Sequence, residues 1–324
     1  MSNTIREYLI YIHGVSQNNN QSHNKQYDHL HDGIQSVQND DFPNRLVWEQ
    51  ANRCNVEWGW NYDQAISPEA DRLLAEAQDK FSDKILPQIK DNKDFTLNPA
   101  RVALSPLRKL MLKGFSDMFY YSSRDGKSSI RETVSSQILQ SIQQSLQTDE
   151  SISLTFLTHS AGSVVAFDFL FYLFAPEEIL EKHEFIETED DSHAEQTLKD
   201  FGKLRTLADN KKLRVRRLVT FGSPISMLAF RSNAVINILA QGDRLNPDYY
   251  GFEENSTVFG EPLRGPRWIN FWDKDDIISW PVSSLMKESS NITDIYLDAG
   301  DGILSVHNKY WNDKTMHKKI AAHW

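Results

Sequence analysis

Residues 154–167 read LTFLTHSAGSVVAF, and the fold turns on how this stretch is parsed. The run Ile152–Thr158 is apolar without clear alternation, as expected of a central strand covered by helices on both faces. It enters Thr158-His159-Ser160-Ala161-Gly162, and a strongly apolar helix leaves over 163–174. This is the strand–turn–helix context of the G-x-S-x-G type, in which a sharp turn lifts a serine hydroxyl above the sheet. Such a turn tolerates only small residues two before and two after the serine. Gly162 fits, and Thr158 stands where glycine is usual. The turn also sets the Ala161 amide at the positive end of a helix, where it can hold a developing oxyanion. The alternative is a serine in a strand–helix turn with no chemistry.

Upstream, Tyr8–Ile12 (YLIYI) reads as another doubly covered strand, ending in His13-Gly14-Val15. Gly14 lets the chain turn there, and the Val15 amide is the expected second oxyanion donor. His13 is read as orienting that loop by hydrogen bonding, with base or metal ligand as the alternative roles. A helical pattern follows, with Tyr27, Leu30, Ile34 and Val37 on one face. His23, His29, His31 and Asp32 invite a metal reading. Their spacing is not distinctive, and residues two apart do not share a helix face, so no metal is expected.

Downstream, a strand from Trp268 opens into FWDKDDIISWP, with Asp273, Asp275 and Asp276 in the turn. A carboxylate in such a turn can fix a histidine's tautomer and stabilise its cation. Asp276, just before Ile277-Ile278, is the first choice; Asp273 and Asp275 are the alternatives. His307 follows in GDGILSVHNKYW, read as a loop before the terminal helix. Serine, acid and histidine thus come in the chain order Ser160, Asp276, His307.

The rest of the chain alternates strand-like and helical runs, the signature of a mainly parallel α/β sheet. Further strands are expected at Asn55–Trp60, Arg216–Phe221, Arg267–Trp272 and Ile292–Leu297. A helix is expected over 130–147, opened by the capping box Ser129-Ile130-Arg131-Glu132. One domain is expected over 1–324, with two insertions. Residues 61–128 read as a helical cap whose Leu110, Met111, Phe115, Met118, Phe119 and Tyr120 either line an apolar pocket or pack the cap. Residues 176–212 read as an exposed, acidic surface insertion.

Composition narrows the function. The net charge of −10 disfavours a nucleic-acid partner, which needs a basic face. The one basic cluster, Lys211, Lys212, Arg214, Arg216 and Arg217, reads as a solvated strand entry. The single cysteine, Cys54, allows no internal disulfide and has no nearby base, so it reads as a packed thiol. The first residues lack a signal-peptide layout and no apolar run reaches the roughly 20 residues of a membrane span, so a cytoplasmic location is expected.

Taken together, the strand-HGV, THSAG, TFGSPI, the aspartate turn and the late H-x-x-YW resemble α/β-hydrolase-fold lipases and esterases, especially bacterial lipase-like serine hydrolases. The resemblance runs from about Tyr8 to Trp311, outside the two insertions. It implies an α/β-hydrolase fold and a carboxylic-ester hydrolase acting on a small-molecule ester or lipid without metal or organic cofactor. It also implies that Ser160 is the nucleophile, His307 the base and Asp276 the acid. The acid turn is similar to the family's D-P-x-D-P-I pattern, with isoleucine where proline often follows the acid.

Overall fold

The computed structural model describes residues 5–14, 23–59, 124–148, 150–180, 192–230, 240, 243–252, 259, 263, 265–299 and 303–324. Val15 and nearly all of the expected cap (61–123) lie outside these residues, as do 181–191 of the acidic segment.

Among the described residues six strands form one all-parallel sheet: β1 (Ile5–Ile12), β2 (Asn52–Val56), β3 (Ser151–His159), β4 (Leu213–Phe221), β5 (Trp268–Trp272) and β6 (Ile292–Tyr296). Their order is β2-β1-β3-β4-β5-β6. From β1 the chain moves one way to β2, and from β3 it moves the other way to β4. The order therefore reverses between β1 and β3, where open α/β sheets leave a crevice beyond the strands' carboxyl ends.

Side chains on a strand alternate between faces, and both faces here are apolar. Tyr8, Ile10 and Ile12 join one core with Leu154 and Phe156, while Leu9 and Tyr11 join the other with Leu157, Val219 and Phe271. The first core is covered by helices α3 (Arg124–Ser141), α5 (Ala161–Phe174) and α7 (Ser192–Asp209). The second is covered by α1 (Asn24–Gln35), α2 (Arg45–Gln50) and α10 (Lys314–His323). Shorter helices α4 (Gln143–Thr148), α6 (Glu177–Leu180) and α8 (Ile225–Phe230) bring Leu146, Ile179, Leu180 and Ile225 to the first core, and α9 (Ile303–Lys309) precedes α10. Tyr27, Leu30, Ile34 and Val37 are buried, as the helical spacing predicts. Among the described residues no helix is long and apolar enough to cross a membrane.

Several local expectations change. β2 lies upstream of its expected place, because Glu57 and Trp58 leave the sheet to brace the end of β1. The helix expected over 130–147 is two, α3 and α4, separated at Ile142. The segment 176–212 is not an exposed insertion throughout. Its second part, α7, buries Ala194, Phe201, Leu204 and Leu207 against α3, α5 and β4, so its charges lie on one face of a sheet-covering helix. The basic cluster is a solvated entry only in its first part, where Lys211 is exposed and Lys212 half-buried. Arg214, Arg216 and Arg217 are buried: the first two meet the Glu7 carboxylate, and Arg217 donates to the His323 carbonyl. A guanidinium at a strand's amino end is kept inside by fixed acceptors, since a buried charge without them is costly. Asp168 interrupts the apolar run of α5 for a similar reason. Its carboxylate accepts from Arg131 of α3 and from Arg244, tying three segments through one buried ionic cluster.

Candidate active site

Ser160 sits at the carboxyl end of β3, at the reversal of strand order. Its backbone is strained: φ is 52° and ψ is −129°, a left-side conformation that non-glycine residues adopt only when neighbours enforce it. The enforcement is visible. The Ser160 amide donates to the Phe221 carbonyl of β4 at 3.0 Å, and its carbonyl accepts from Ser163 N at 3.0 Å. The Ser163 hydroxyl also donates to that carbonyl and lies 2.8 Å from the Ser223 hydroxyl, itself buried in the turn after β4. Although Ser160 occupies the cap position of α5, its side chain caps nothing there. The hydroxyl is instead presented to an imidazole.

That imidazole is His307, with Nε2 2.9 Å from Ser160 Oγ and Nδ1 2.8 Å from Asp276 Oδ2. A carboxylate oxygen can only accept, so the bond to Asp276 is donated from Nδ1, and Nε2 is the nitrogen that faces the serine hydroxyl. His307 lies in the last turn of α9, a helix rather than the expected loop. Asp276, His307 and Ser160 are all buried.

The three aspartates of the acid turn separate by what their oxygens already hold. Asp273 accepts from the Asp275 amide at 2.8 Å and the Ala299 amide at 2.7 Å, so it is a brace between two loops. Asp275 pairs with the exposed Lys274 at 2.8 Å. Only Asp276, oriented by the Ile278 amide at 3.1 Å, reaches His307. Burial, and then the charge of Asp276, push the nearby Tyr310 phenol upward, so it stays protonated beside that carboxylate.

Two glycines let the ends of β1 and β3 approach. A Cβ on Gly14 would lie 2.4 Å from Ser160 Cβ and 3.0 Å from Oγ. One on Gly162 would lie 2.2 Å from the His13 carbonyl oxygen and 2.6 Å from that of Ile12. The reason for glycine at these positions is thus the close contact of the two strand ends; neither residue has positive φ. Thr158, at the other small-residue position of the turn, fits by donating its hydroxyl to the Val219 carbonyl at 3.1 Å. Ala161 is the first residue of α5, so its amide is one of those an α-helix leaves without an internal acceptor.

His13 is fixed on every polar side. Its amide donates to the Tyr27 hydroxyl at 2.9 Å and its carbonyl accepts from Trp58 Nε1 at 2.9 Å. Nδ1 donates to the Gly14 carbonyl, and Nε2 accepts from the Trp58 amide at 3.2 Å. Burial, and then the neighbouring His23, push its pKa down to about 3, so the ring is neutral.

His13, His23 and Glu57 form the one group among the described residues with metal-ligand types converging. The two imidazoles are stacked 3.5 Å apart at 9°. Their lone pairs lie in nearly parallel planes and cannot meet at one ion as placed, and that of His13 already faces the Trp58 amide. The trio therefore braces the loop. The other histidines singled out in the sequence are dispersed: His29 is exposed, and His31 stacks on Trp48 and meets the Tyr11 hydroxyl at 2.7 Å. Cys54 is a packed thiol pushed up to about 11 by burial.

Sequence reasoning placed Gly222 in a turn on this side of the sheet but missed its contact with His307, and it missed the Glu57–Trp58 brace. Gly222 has φ +62°, and a Cβ there would lie 3.0 Å from the His307 ring. The G-S-P turn marked its place but not its contact. Glu57 and Trp58 carried no motif at all.

A scan of protein-family models matches none of them to this chain, and a search of curated proteins finds no similar sequence.

Proposed function

We propose that this protein is a serine hydrolase that cleaves carboxylic esters through Ser160, His307 and Asp276. The observation that carries the reading is the continuous hydrogen-bonded chain from Ser160 Oγ through His307 to Asp276, at 2.9 and 2.8 Å, built on a strained serine at a strand–helix turn. A strained backbone persists only where its surroundings over-determine it, and such strain clusters at functional sites.

In the proposed reaction Ser160 Oγ attacks the ester carbonyl while His307 Nε2 takes its proton. The resulting imidazolium is stabilised by Asp276. The tetrahedral oxyanion is held by the Ala161 amide and by a donor from the loop after Gly14, for which Val15 remains the expected residue. The imidazolium then returns its proton to the departing alcohol, leaving an acyl-serine. Water, deprotonated by the same imidazole, attacks the acyl-serine; the acyl–Oγ bond breaks as the imidazolium returns that proton to Ser160 Oγ, and the acid is released. The doubly wound sheet, with its reversal at the serine, accords with the α/β-hydrolase resemblance. A small ester or lipid substrate and a cytoplasmic setting belong to the same proposal.

The test is a fluorophosphonate probe and a series of p-nitrophenyl esters of graded chain length. The probe should label Ser160, and at least one ester should turn over. Ser160→Ala, with an unchanged thermal midpoint, should lose labelling and about 10⁴–10⁶ of kcat. A folded Ser160→Ala variant with full turnover would refute the assignment. Absence of both labelling and turnover in the wild-type protein would leave a non-catalytic module in its place.

A further inference from the structure

One buried titratable group touches the proposed machinery without a part in the reaction above. His159, the residue before the serine, points beneath His307. Its Nε2 lies 2.7 Å from the main-chain oxygen of His307. A carbonyl only accepts, so Nε2 carries the proton and the bond runs from His159 to His307. That carbonyl belongs to the last turn of α9, where an α-helix leaves its carbonyls without internal partners. The side chain preceding the nucleophile therefore caps the helix that delivers the base.

The rings reinforce this bond. The His159 and His307 centroids are 4.6 Å apart, and His159 also lies against Phe221 and Trp311 at 5.3 and 5.2 Å. Gly222 makes room for both imidazoles: a Cβ there would lie 3.2 Å from His159 Nε2 and 3.1 Å from His307 Nδ1. Burial, and then the nearby His307, push the His159 pKa well down. It accordingly stays neutral while its neighbour becomes a cation, as a base that takes a proton requires.

We propose that His159 is a positioning residue for the base: by donating its Nε2 proton to the His307 carbonyl and packing on the His307 ring, it ties α9 to the nucleophile's own turn. The inference rests on the hydrolase reading for its kinetic consequence, but the bond itself can be tested without turnover. Small displacements of reacting groups are expensive, with about 1 Å costing on the order of 10²-fold in rate.

Three variants separate the donor from the ring. His159→Phe keeps a ring without a donor, His159→Gln keeps an N–H of similar reach without the ring, and His159→Leu replaces the Phe variant should that one fail to fold. Steady-state kinetics on the best p-nitrophenyl ester are read alongside the downfield proton resonance of His307 Nδ1–H, followed with temperature. His159→Phe is expected to lower kcat about 10–100-fold with KM changed less than about twofold, and to broaden the resonance at temperatures where the wild type keeps it. His159→Gln should recover most of both. A folded Phe or Leu variant with wild-type kcat and resonance would overturn the proposal. So would a Gln variant as impaired as Phe, which would place the effect in packing alone. If the wild-type protein neither labels nor turns over, the hydrolase reading fails while the resonance still reports whether His159 holds the base.

Discussion

The ends of β1 and β3 are neighbours in register, with Ile12 opposite Thr158, and each continues into a buried histidine. Both histidines are kept neutral by burial, yet they are used differently. His13 spends all its polar atoms on its own loop and on Tyr27 and Trp58, fixing a backbone. His159 reaches across to the chain's last helices and holds a side chain's support. A residue type at a given sheet edge therefore does not define a role. What its nitrogens face does, and that depends on which distant segment folds over it.

The sharpest way to break this comparison is at Asp276, which completes the hydrogen-bonded chain on the β3 side. Asp276→Asn should keep the fold and lower kcat by about 10⁴, since an amide favours the wrong histidine tautomer. A variant retaining more than a tenth of wild-type kcat in the same ester assay would return the choice to Asp273. Next is Gly14→Ala, which forces a methyl group into Ser160 across the crevice. An activity loss of at least about 10²-fold is expected, with slowed fluorophosphonate labelling; unchanged labelling would mean that the two strand ends can move apart.

On the β1 side the expected effect is on stability more than on rate. His13→Gln should cost about 1–3 kcal/mol at neutral pH, measured by urea unfolding, from unmade buried hydrogen bonds. The pH dependence has a definite sign. The folded pKa of His13 is lowered from 6.5 to about 3, so its contribution is complete above about 6.5. It is lost as the pH falls towards about 3, because the unfolded chain binds the proton first. His159 is shifted the same way, so His13→Gln should flatten this decline without abolishing it. A steeper decline in the variant would reverse the assignment. The smallest effect belongs to Asp275→Asn, whose partner is the exposed Lys274. Stability should stay within about 0.5 kcal/mol and kcat within about twofold; a larger loss of kcat would draw Asp275 into the acid's role.

Much of this arrangement was legible because the central strands are buried on both faces and read as continuous apolar runs. The serine turn was legible because a strand, a small-residue turn and an apolar helix leave few other geometries. The Glu57–Trp58 brace was not, since its aromatic and acidic residues look like the strand they leave. Nor was α7, whose charged residues of both signs conceal a buried row at helical spacing.

Sequence order and patterning alone determined the parallel α/β class, the serine's turn and the set of residues from which an acid and a base would come. Tertiary structure decided that Asp276 faces His307, that the glycines answer contacts between the ends of β1 and β3 and that His159 meets His307. These depend on atoms separated by up to 148 positions in the chain. Local pattern constrains a residue's own backbone and face, whereas hydrogen-bond partners at such separations are chosen only when the sheet brings its carboxyl ends together.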